Sequence, residues 1–330
     1  MPKTYNNLFE KVCSLENLYA AYHDAKKNKR FKPEVLDAGF CIENTIHELR
    51  QELLNLTWQP QAYREFLLKT EVKRRIIHAP TFRDRIVHHA ILRIVKPLFE
   101  KKFIFDSYAV TVGKGQVKAV KRLQNFLRRA SKNGEVYVLQ CDISKYYPSM
   151  SHEILLEEIK RTIRDRKVFE IWRRIIESFS EGLPIGAYTS QLSANIYLNV
   201  LDHFVKECLQ WKYYLRYMDD FILIGNDKKQ LWKSLEDVRW LLDTKLKLKL
   251  NNRTKIYKAC QGVDFAGYRT FSDKILPRKR NVKAARHRLK KFVGKELASR
   301  VASFLGYMKH CDGYKTTQST LELFCKVGDN

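Results

Sequence analysis

"LRYMDDFILIG", residues 215–225, sets two adjacent aspartates between two apolar runs. Leu215 and Tyr217 flank Arg216 on one side, and Phe221-Ile222-Leu223-Ile224 follow on the other. Such runs read as two strands joined at a tight turn. Neighbouring carboxylates repel, and taking them out of water costs several kcal/mol per ion unless a cation compensates. A metal ion is one candidate. The other reading is a solvated hairpin tip, because Asp is a common turn residue. The stretch alone leaves both open.

The 330 residues suffice for two or three substructures with ample core, and a hydrophobic content of 45% argues for a folded chain. No run of about 20 apolar residues occurs, so no membrane span is expected. The N-terminal stretch lacks the apolar core of a signal peptide. Seven scattered cysteines without a C-x-x-C argue against a disulfide framework or a zinc site and for a reducing cytoplasm. Charge is the strongest compositional signal. Sixty-two Lys and Arg against 36 Asp and Glu give a formal net charge of +26. That excess favours polyanions, chiefly nucleic acid, through counterion release.

Along the chain, the first ~60 residues read mostly helical. Ile42, Ile46, Leu49 and Leu53 form an amphipathic stripe. His47-Glu48 lacks the second His of a zinc-protease helix and reads as surface. Lys73, Arg74 and Arg75 lie on or beside a short strand, Ile76-Ile77, closed by Pro80, and a second basic turn with Arg83 and Arg85 leads into a helix. Such cations suit a phosphate clamp or a solvated charge run. His88 and His89 read as structural. "VGKGQVKAVKRL" (112–123) lacks the full patterns of nucleotide-binding loops.

"VYVLQCDISKYYPSM" (136–150) is the second anchor. Val136, Val138 and Gln140 alternate with Tyr137, Leu139 and Cys141, the pattern of a central strand that ends at Asp142. A basic helical region covers 152–181, a Pro-Gly turn then feeds a long helix within 181–205, and 228–246 is amphipathic. "LKLKLNNRTKIYK" and "GVDFAGYRTF" read as short strands around Asn-rich and Gly turns. Residues 277–300 read as a basic helix pair. An antiparallel sheet with helices on one face would bring Asp142 beside the Asp219-Asp220 turn. Three carboxylates at one point can hold two divalent ions about 3.5–4 Å apart, which suits in-line phosphoryl displacement. Mg²⁺ fits, since it takes carboxylates, water and substrate phosphates.

These blocks, in order, carry a resemblance. "YMDD" (217–220), "DISKYYPSM" (142–150), "LPIGAYTSQLSANIYLN" (183–199) and "FAGYR" (265–269) resemble those of a reverse transcriptase, over nearly the whole chain. The resemblance implies an α/β (α+β) right-hand polymerase with fingers, an antiparallel palm sheet with helices, and a small helical thumb. Its parts would be 1–95 (N-terminal helices and fingers), 96–149 (palm), 150–189 (fingers), 190–270 (palm with primer grip) and 271–330 (basic thumb). Asp142, Asp219 and Asp220 match the catalytic metal-binding acids, with Ile143 offering a backbone carbonyl. Two Mg²⁺ ions are implied, Mn²⁺ being able to substitute.

The same resemblance implies that Lys73, Arg74 and Arg75 bind the incoming dNTP, with Tyr147 as an aromatic gate against a ribose 2′-OH, and with Ile185, Gly186 and Gln191. Phe265, Ala266, Gly267 and Tyr268 resemble the primer grip. Arg253 or Lys255 would protonate the leaving pyrophosphate, and the choice stays open. Arg278, Lys279, Arg280, Lys283, Arg286, Arg288, Lys290 and Lys291 would bind nucleic acid or a partner.

Ile185-Gly186 and Ser190-Gln191 stand where intron-type enzymes usually carry Q-G and S-P. This I-G-x-x-x-S-Q pattern resembles diversity-generating retroelement reverse transcriptases. That branch copies a template-repeat RNA, flanked by structured RNA, into cDNA mutagenised at adenines, with a basic accessory variability protein that forms a ring. It implies a cytoplasmic, bacterial or phage-encoded enzyme without membrane partners. The alternatives are a retron, defence-associated or group II intron enzyme, or a non-catalytic RNA-binding protein on the same scaffold.

Overall fold

The structure is a computed structural model and describes residues 3–68, 75–289, 291–292 and 294–325. In chain order come α1 (Phe9–Cys13), α2 (Leu15–Lys26), α3 (Pro33–Phe40), α4 (Ile42–Leu54), β1 (Arg64–Leu68), β2 (Arg75–Ala79) and α5 (Phe82–Glu100). Then follow α6 (Gln116–Ala130), β3 (Tyr137–Asp142), α7 (His152–Lys160), α8 (Arg166–Glu177), α9 (Tyr188–His203), β4 (Tyr214–Tyr217) and β5 (Asp220–Gly225). The chain continues through α10 (Lys228–Thr244), β6 (Lys255–Lys258), β7 (Val263–Phe265), β8 (Tyr268–Thr270), β9 (Ile275–Pro277), α11 (Lys279–Leu289), α12 (Gly294–Met308) and α13 (Tyr314–Cys325). No helix among the described residues is long and apolar enough to cross a membrane.

Two compact units divide the chain: residues 1–104, 143–204 and 240–249 form one, and 105–142, 205–239 and 250–330 the other. The first is mainly helical. Its long helix α5 starts where Thr81 caps it, the side chain accepting from Asp84 N at 3.2 Å. Ile86, Val87, Ala90, Ile91 and Val95 are buried along it. Each large apolar side chain among them contributes roughly 1.5–3 kcal/mol when fully buried. Arg83 and Arg85 lie inside this helix rather than in a turn before it, and they pair with Glu52 (2.6 Å) and Glu34 (3.0 Å). Those two cations therefore tie helices together and are not held ready for phosphate. His88 is fully buried against Thr189 Oγ1 at 3.2 Å, and burial lowers its pKa to about 3, which suits a neutral structural histidine. β1 and β2 form an antiparallel pair in this unit.

The second unit holds a four-stranded antiparallel sheet in the order β4-β5-β3-β6 and a three-stranded one, β7-β8-β9. Val138, Leu215, Ile222 and Ile224 on one sheet face pack with Leu123, Phe126 and Leu127 of α6 and with Val263 and Phe265 of β7. β3 is interior, as its two-faced apolar pattern predicts. The alternating "LKLKL" is a departure: residues 246–249 are not strand, and only Leu250 makes a bridge. Leu246 and Leu248 are buried, and their main chain finds partners outside any ladder, Tyr197 Oη donating to Leu246 O (2.6 Å) and Leu248 N donating to Leu242 O (2.8 Å). Alternation there reflects burial without ladder partners.

Candidate active site

The site is built from strand ends. Asp142 closes β3 in register with Asp220, which opens β5, and Tyr217 of β4 also pairs with Asp220. Side chains alternate along strands, so Gln140, Asp142, Asp220 and Ile222 share one face. Met218 and Asp219 make the turn between β4 and β5, and Met218 adopts φ +56°. A left-handed non-glycine residue costs roughly 1–2 kcal/mol. Arg216 offsets part of that cost: its fully buried guanidinium donates to Met218 O (2.9 Å) and Ser107 Oγ (3.3 Å). Its own main chain is paired on both sides, Arg216 N donating to Asp106 O and Tyr108 N donating to Arg216 O, each at 3.0 Å.

Asp142 is steadied by Asn251, whose backbone N donates to Asp142 O (2.7 Å) and whose Nδ2 donates to Asp142 Oδ2 (3.2 Å). Burial first, then the charges of Asp142 and Asp219, push the Asp220 carboxyl up to about 8; a Gln140 hydrogen bond and the Arg278 charge oppose the rise. Asp220 Oδ1 is buried with no hydrogen-bond partner among the described residues. An orphaned carboxylate oxygen beside a second carboxylate fits a hard divalent cation. Among the described residues no three His, Cys, Asp or Glu side chains stand ready-gathered as a metal cage.

The other candidates fall as follows. Lys73, Arg74 and Lys290 lie outside the described residues, and Arg75 opens β2. Ile143 has a buried side chain. Tyr147 is half-buried; its carbonyl accepts from Leu183 N at 2.9 Å. Gly182 sits against that segment so closely that a Cβ would come within 2.6 Å of Pro148 Cα. Ile185 is half-buried, and its carbonyl accepts from His78 N at 2.8 Å. Gly186, at φ +126°, leaves no room for a Cβ, which would meet Ile77 Cγ2 at 2.7 Å and His78 O at 3.0 Å. The Ile185-Gly186 turn is therefore docked on β2 within the first unit. Gln191 is exposed near the start of α9.

In the hairpin β7–β8, Phe265 and Tyr268 are buried, so the turn backbone at Ala266-Gly267 is what the hairpin presents. Both residues have positive φ, +43° and +87°, the geometry of a tight primed turn. Gly267 O accepts from Asn281 Nδ2 (3.1 Å) and Tyr307 Oη (2.7 Å), and Ala266 O accepts from Gln116 Nε2. Of the basic cluster, Lys279, Arg280, Lys283, Arg288 and Lys291 are exposed. Arg286 instead donates to Thr320 Oγ1 (2.9 Å) and Ser319 Oγ (2.8 Å), and Arg278 Nε lies 3.7 Å from Asp264 Oδ1. Arg253 and Lys255 are both exposed. Arg216, Gln140, Asn251 and Tyr257 were not among the residues singled out by sequence. A cation inside one apolar strand and an amide inside another were the available signals.

Residues 67–270 match the sequence profile of the family described as "Reverse transcriptase (RNA-dependent DNA polymerase)". Protein YkfC of Escherichia coli K12 is 30% identical over 279 residues, covering 71% of this chain and 73% of YkfC. The chain belongs to the reverse transcriptase family. The group II intron-encoded protein LtrA of Lactococcus lactis is 25% identical over 218 residues, which cover 62% of this reverse transcriptase but only 36% of LtrA. Among solved structures, telomerase from Candida tropicalis in complex with a TWJ fragment of telomeric RNA aligns with a TM-score of 0.52 at 14% identity. That match covers 84% of this chain and 56% of the telomerase chain. At such identity the likeness speaks for the fold alone: helices with antiparallel sheets in the right-hand polymerase class.

Proposed function

We propose that this reverse transcriptase copies an RNA template into DNA by two-metal nucleotidyl transfer. The observation that carries the reading is the pairing of Asp142 with Asp220 at adjoining strand ends, with a buried Asp220 oxygen lacking a protein partner among the described residues. Asp142, Asp219, Asp220 and the Ile143 carbonyl would hold two Mg²⁺. When bound, the ions supply Lewis acidity to the primer hydroxyl and charge neutralisation to the phosphates. Asn251 keeps Asp142 oriented, and Arg216 keeps the Met218-Asp219 turn in shape. Lys73, Arg74 and Arg75 would receive the triphosphate, Tyr147 would exclude a 2′-OH, and the Ala266-Gly267 turn would seat the primer backbone. The division into fingers, palm and basic thumb, 271–330, belongs to the same proposal. In a primer-extension assay with Mg²⁺, dNTPs and an RNA template, the chain is expected to make DNA. Absence of product on every RNA template would overturn the reading.

The finer proposal is a diversity-generating retroelement enzyme, acting on a template-repeat RNA beside an accessory variability protein. Its support is the I-G-x-x-x-S-Q pattern at 185–191. An isoleucine at 185 offers shape but no hydrogen-bond donor to an incoming pair, and one hydrogen bond is worth roughly 0.5–1.5 kcal/mol. Ile185→Gln is expected to lower misincorporation opposite template adenine by about 3- to 10-fold, more than opposite other bases. Sequencing cDNA made by both enzymes on one template checks this. A second reading, an intron-type enzyme, is favoured by the likeness to LtrA; low, base-independent error rates in the wild type would select it.

A further inference from the structure

On the acid-bearing face of β3, Gln140 is the polar residue between Val138 and Asp142. Its Nε2 donates to the main-chain carbonyl of Asp264 on β7 at 2.7 Å. A carbonyl oxygen can only accept, so this contact decides which end of the amide is nitrogen. The oxygen end then accepts from Tyr257 Oη on β6 at 2.9 Å. Burial raises the Tyr257 pKa, so its hydroxyl keeps the proton this bond needs. The Gln140 side chain shares the sheet face with Asp220, whose strand partner Asp142 lies two residues along β3, and it opposes the rise of the Asp220 pKa. One amide thus joins β3, β6 and β7 on the face that carries the first residue of β5. Its neighbourhood also holds the charges of Asp142, Asp219 and Arg278 around Asp220.

A half-buried amide placed only to satisfy its neighbours would need no carboxylate beside it. Here Tyr257 and the β7 backbone hold the amide from two sides, on the face that carries Asp220, whose Oδ1 has no protein partner among the described residues. An amide held in place beside the carboxyl restricts the direction in which its unpartnered oxygen can take a cation. Groups that orient a ligating side chain in this way typically change metal affinity or activity by about 10- to 100-fold when removed. β7 also leads into the Ala266-Gly267 turn, so the same amide registers that hairpin against the acid.

We infer that Gln140 is a positioning residue: clamped by Tyr257 and by the Asp264 carbonyl, it aims Asp220 for metal binding. The inference rests on Asp220 being a metal ligand, as proposed above. The test uses the full chain and its Gln140→Leu, Gln140→Glu and Tyr257→Phe variants, with the Gln140→Leu/Tyr257→Phe double. Mn²⁺ affinity is read by calorimetric titration, kcat and dNTP KM by primer extension with Mg²⁺, and the melting temperature in chelator. Gln140→Leu is expected to weaken Mn²⁺ binding and lower kcat by about 10-fold or more, with KM changed less than about 3-fold. Gln140→Glu, of equal size but without the donor, is expected to do no better.

Tyr257→Phe deletes only a hydroxyl and is expected to shift Mn²⁺ affinity and kcat in the same direction by about 3-fold. Because both residues act through one amide, the double variant is expected to match Gln140→Leu alone rather than multiply the two losses. Wild-type Mn²⁺ affinity in Gln140→Leu, or multiplied losses in the double, would overturn the inference. Should the leucine variant not fold, unchanged Mn²⁺ affinity and kcat in Tyr257→Phe would overturn it equally. A wild-type chain that binds Mn²⁺ but makes no DNA would sink the proposed function and leave the Gln140 comparison standing.

Discussion

The acid-bearing end of the four-stranded sheet and the basic helix α11 both belong to the second unit, and they are held in opposite ways. At the sheet end each acid is held in place: Asp142 by Asn251, the Met218-Asp219 turn by buried Arg216, and the main chain of Asp220 by strand pairing with Asp142 and Tyr217. On α11 the apolar anchors Val282 and Leu289 are buried, while Lys279, Arg280, Lys283 and Arg288 are exposed. A charge that must meet a reacting atom is oriented by neighbours; a charge that meets a polyanion need only be present. The first kind is expected to be intolerant of substitution at a single position. The second kind is expected to respond to the total number of cations.

The largest effect follows from the acids. Asp142→Ala, Asp219→Ala or Asp220→Asn is expected to lower DNA synthesis by roughly 10³-fold or more, while RNA binding in a filter or mobility assay persists. Near-wild-type extension by any of the three would break the metal-site assignment. Next comes Tyr147→Ala, expected to reduce discrimination against ribonucleotides by about 10- to 100-fold in single-nucleotide incorporation. Unchanged sugar selectivity would return Tyr147 to a packing role.

The Asp220 environment also predicts a stability effect of definite sign. Its carboxyl is raised from 3.8 to about 8 in the fold, so between those values the folded metal-free chain holds a proton that the unfolded chain has released. The associated stability is present below pH 4 and is lost as pH rises toward 8. In chelator, Asp220→Asn is therefore expected to stabilise the chain at pH 8 by about 1–3 kcal/mol and to be close to neutral at pH 4. Denaturant melts at the two pH values measure it, and a variant less stable at pH 8 would contradict the buried-carboxyl picture.

The smallest single-site effects belong to α11. Neutralising Lys279, Arg280, Lys283 and Arg288 together is expected to reduce the slope of log affinity against log salt by about one for each phosphate that they neutralise in the wild type, with little change in melting temperature. Arg286→Ala should do the reverse, because its guanidinium is spent on Thr320 and Ser319. It is expected to cost about 1 kcal/mol of stability and to leave the salt slope alone. Equal behaviour of Arg286 and its exposed neighbours would erase the distinction between the two kinds of charge.

Much of this was legible in the chain. The apolar stretch before Asp142 and the apolar runs around Asp219-Asp220 announce strands, and the helical stripes at 42–53 and 228–246 announce helices, because side-chain period follows local geometry. The adjacency of the two acidic blocks follows once the sheet is antiparallel. The strand reading failed at 246–249, where Leu246 and Leu248 alternate for burial but their backbone bonds to Tyr197 and Leu242 instead of to a ladder. Nor does a basic run reveal which cations face inward: Arg83, Arg85 and Arg286 look like their neighbours until Glu52, Glu34 and Thr320 come beside them.

What the sequence determined by itself is the set of elements, the order of the acidic blocks and the excess of positive charge, since each depends on residues close together in the chain or on composition. What the tertiary structure decided is how each acid is held. Asn251 reaches Asp142 across 109 positions, and Tyr257 reaches Gln140 across 117. Hydrogen bonds between residues so far apart leave no periodic signal, because only the pairing of β3 with β5 and β6 brings the partners within reach.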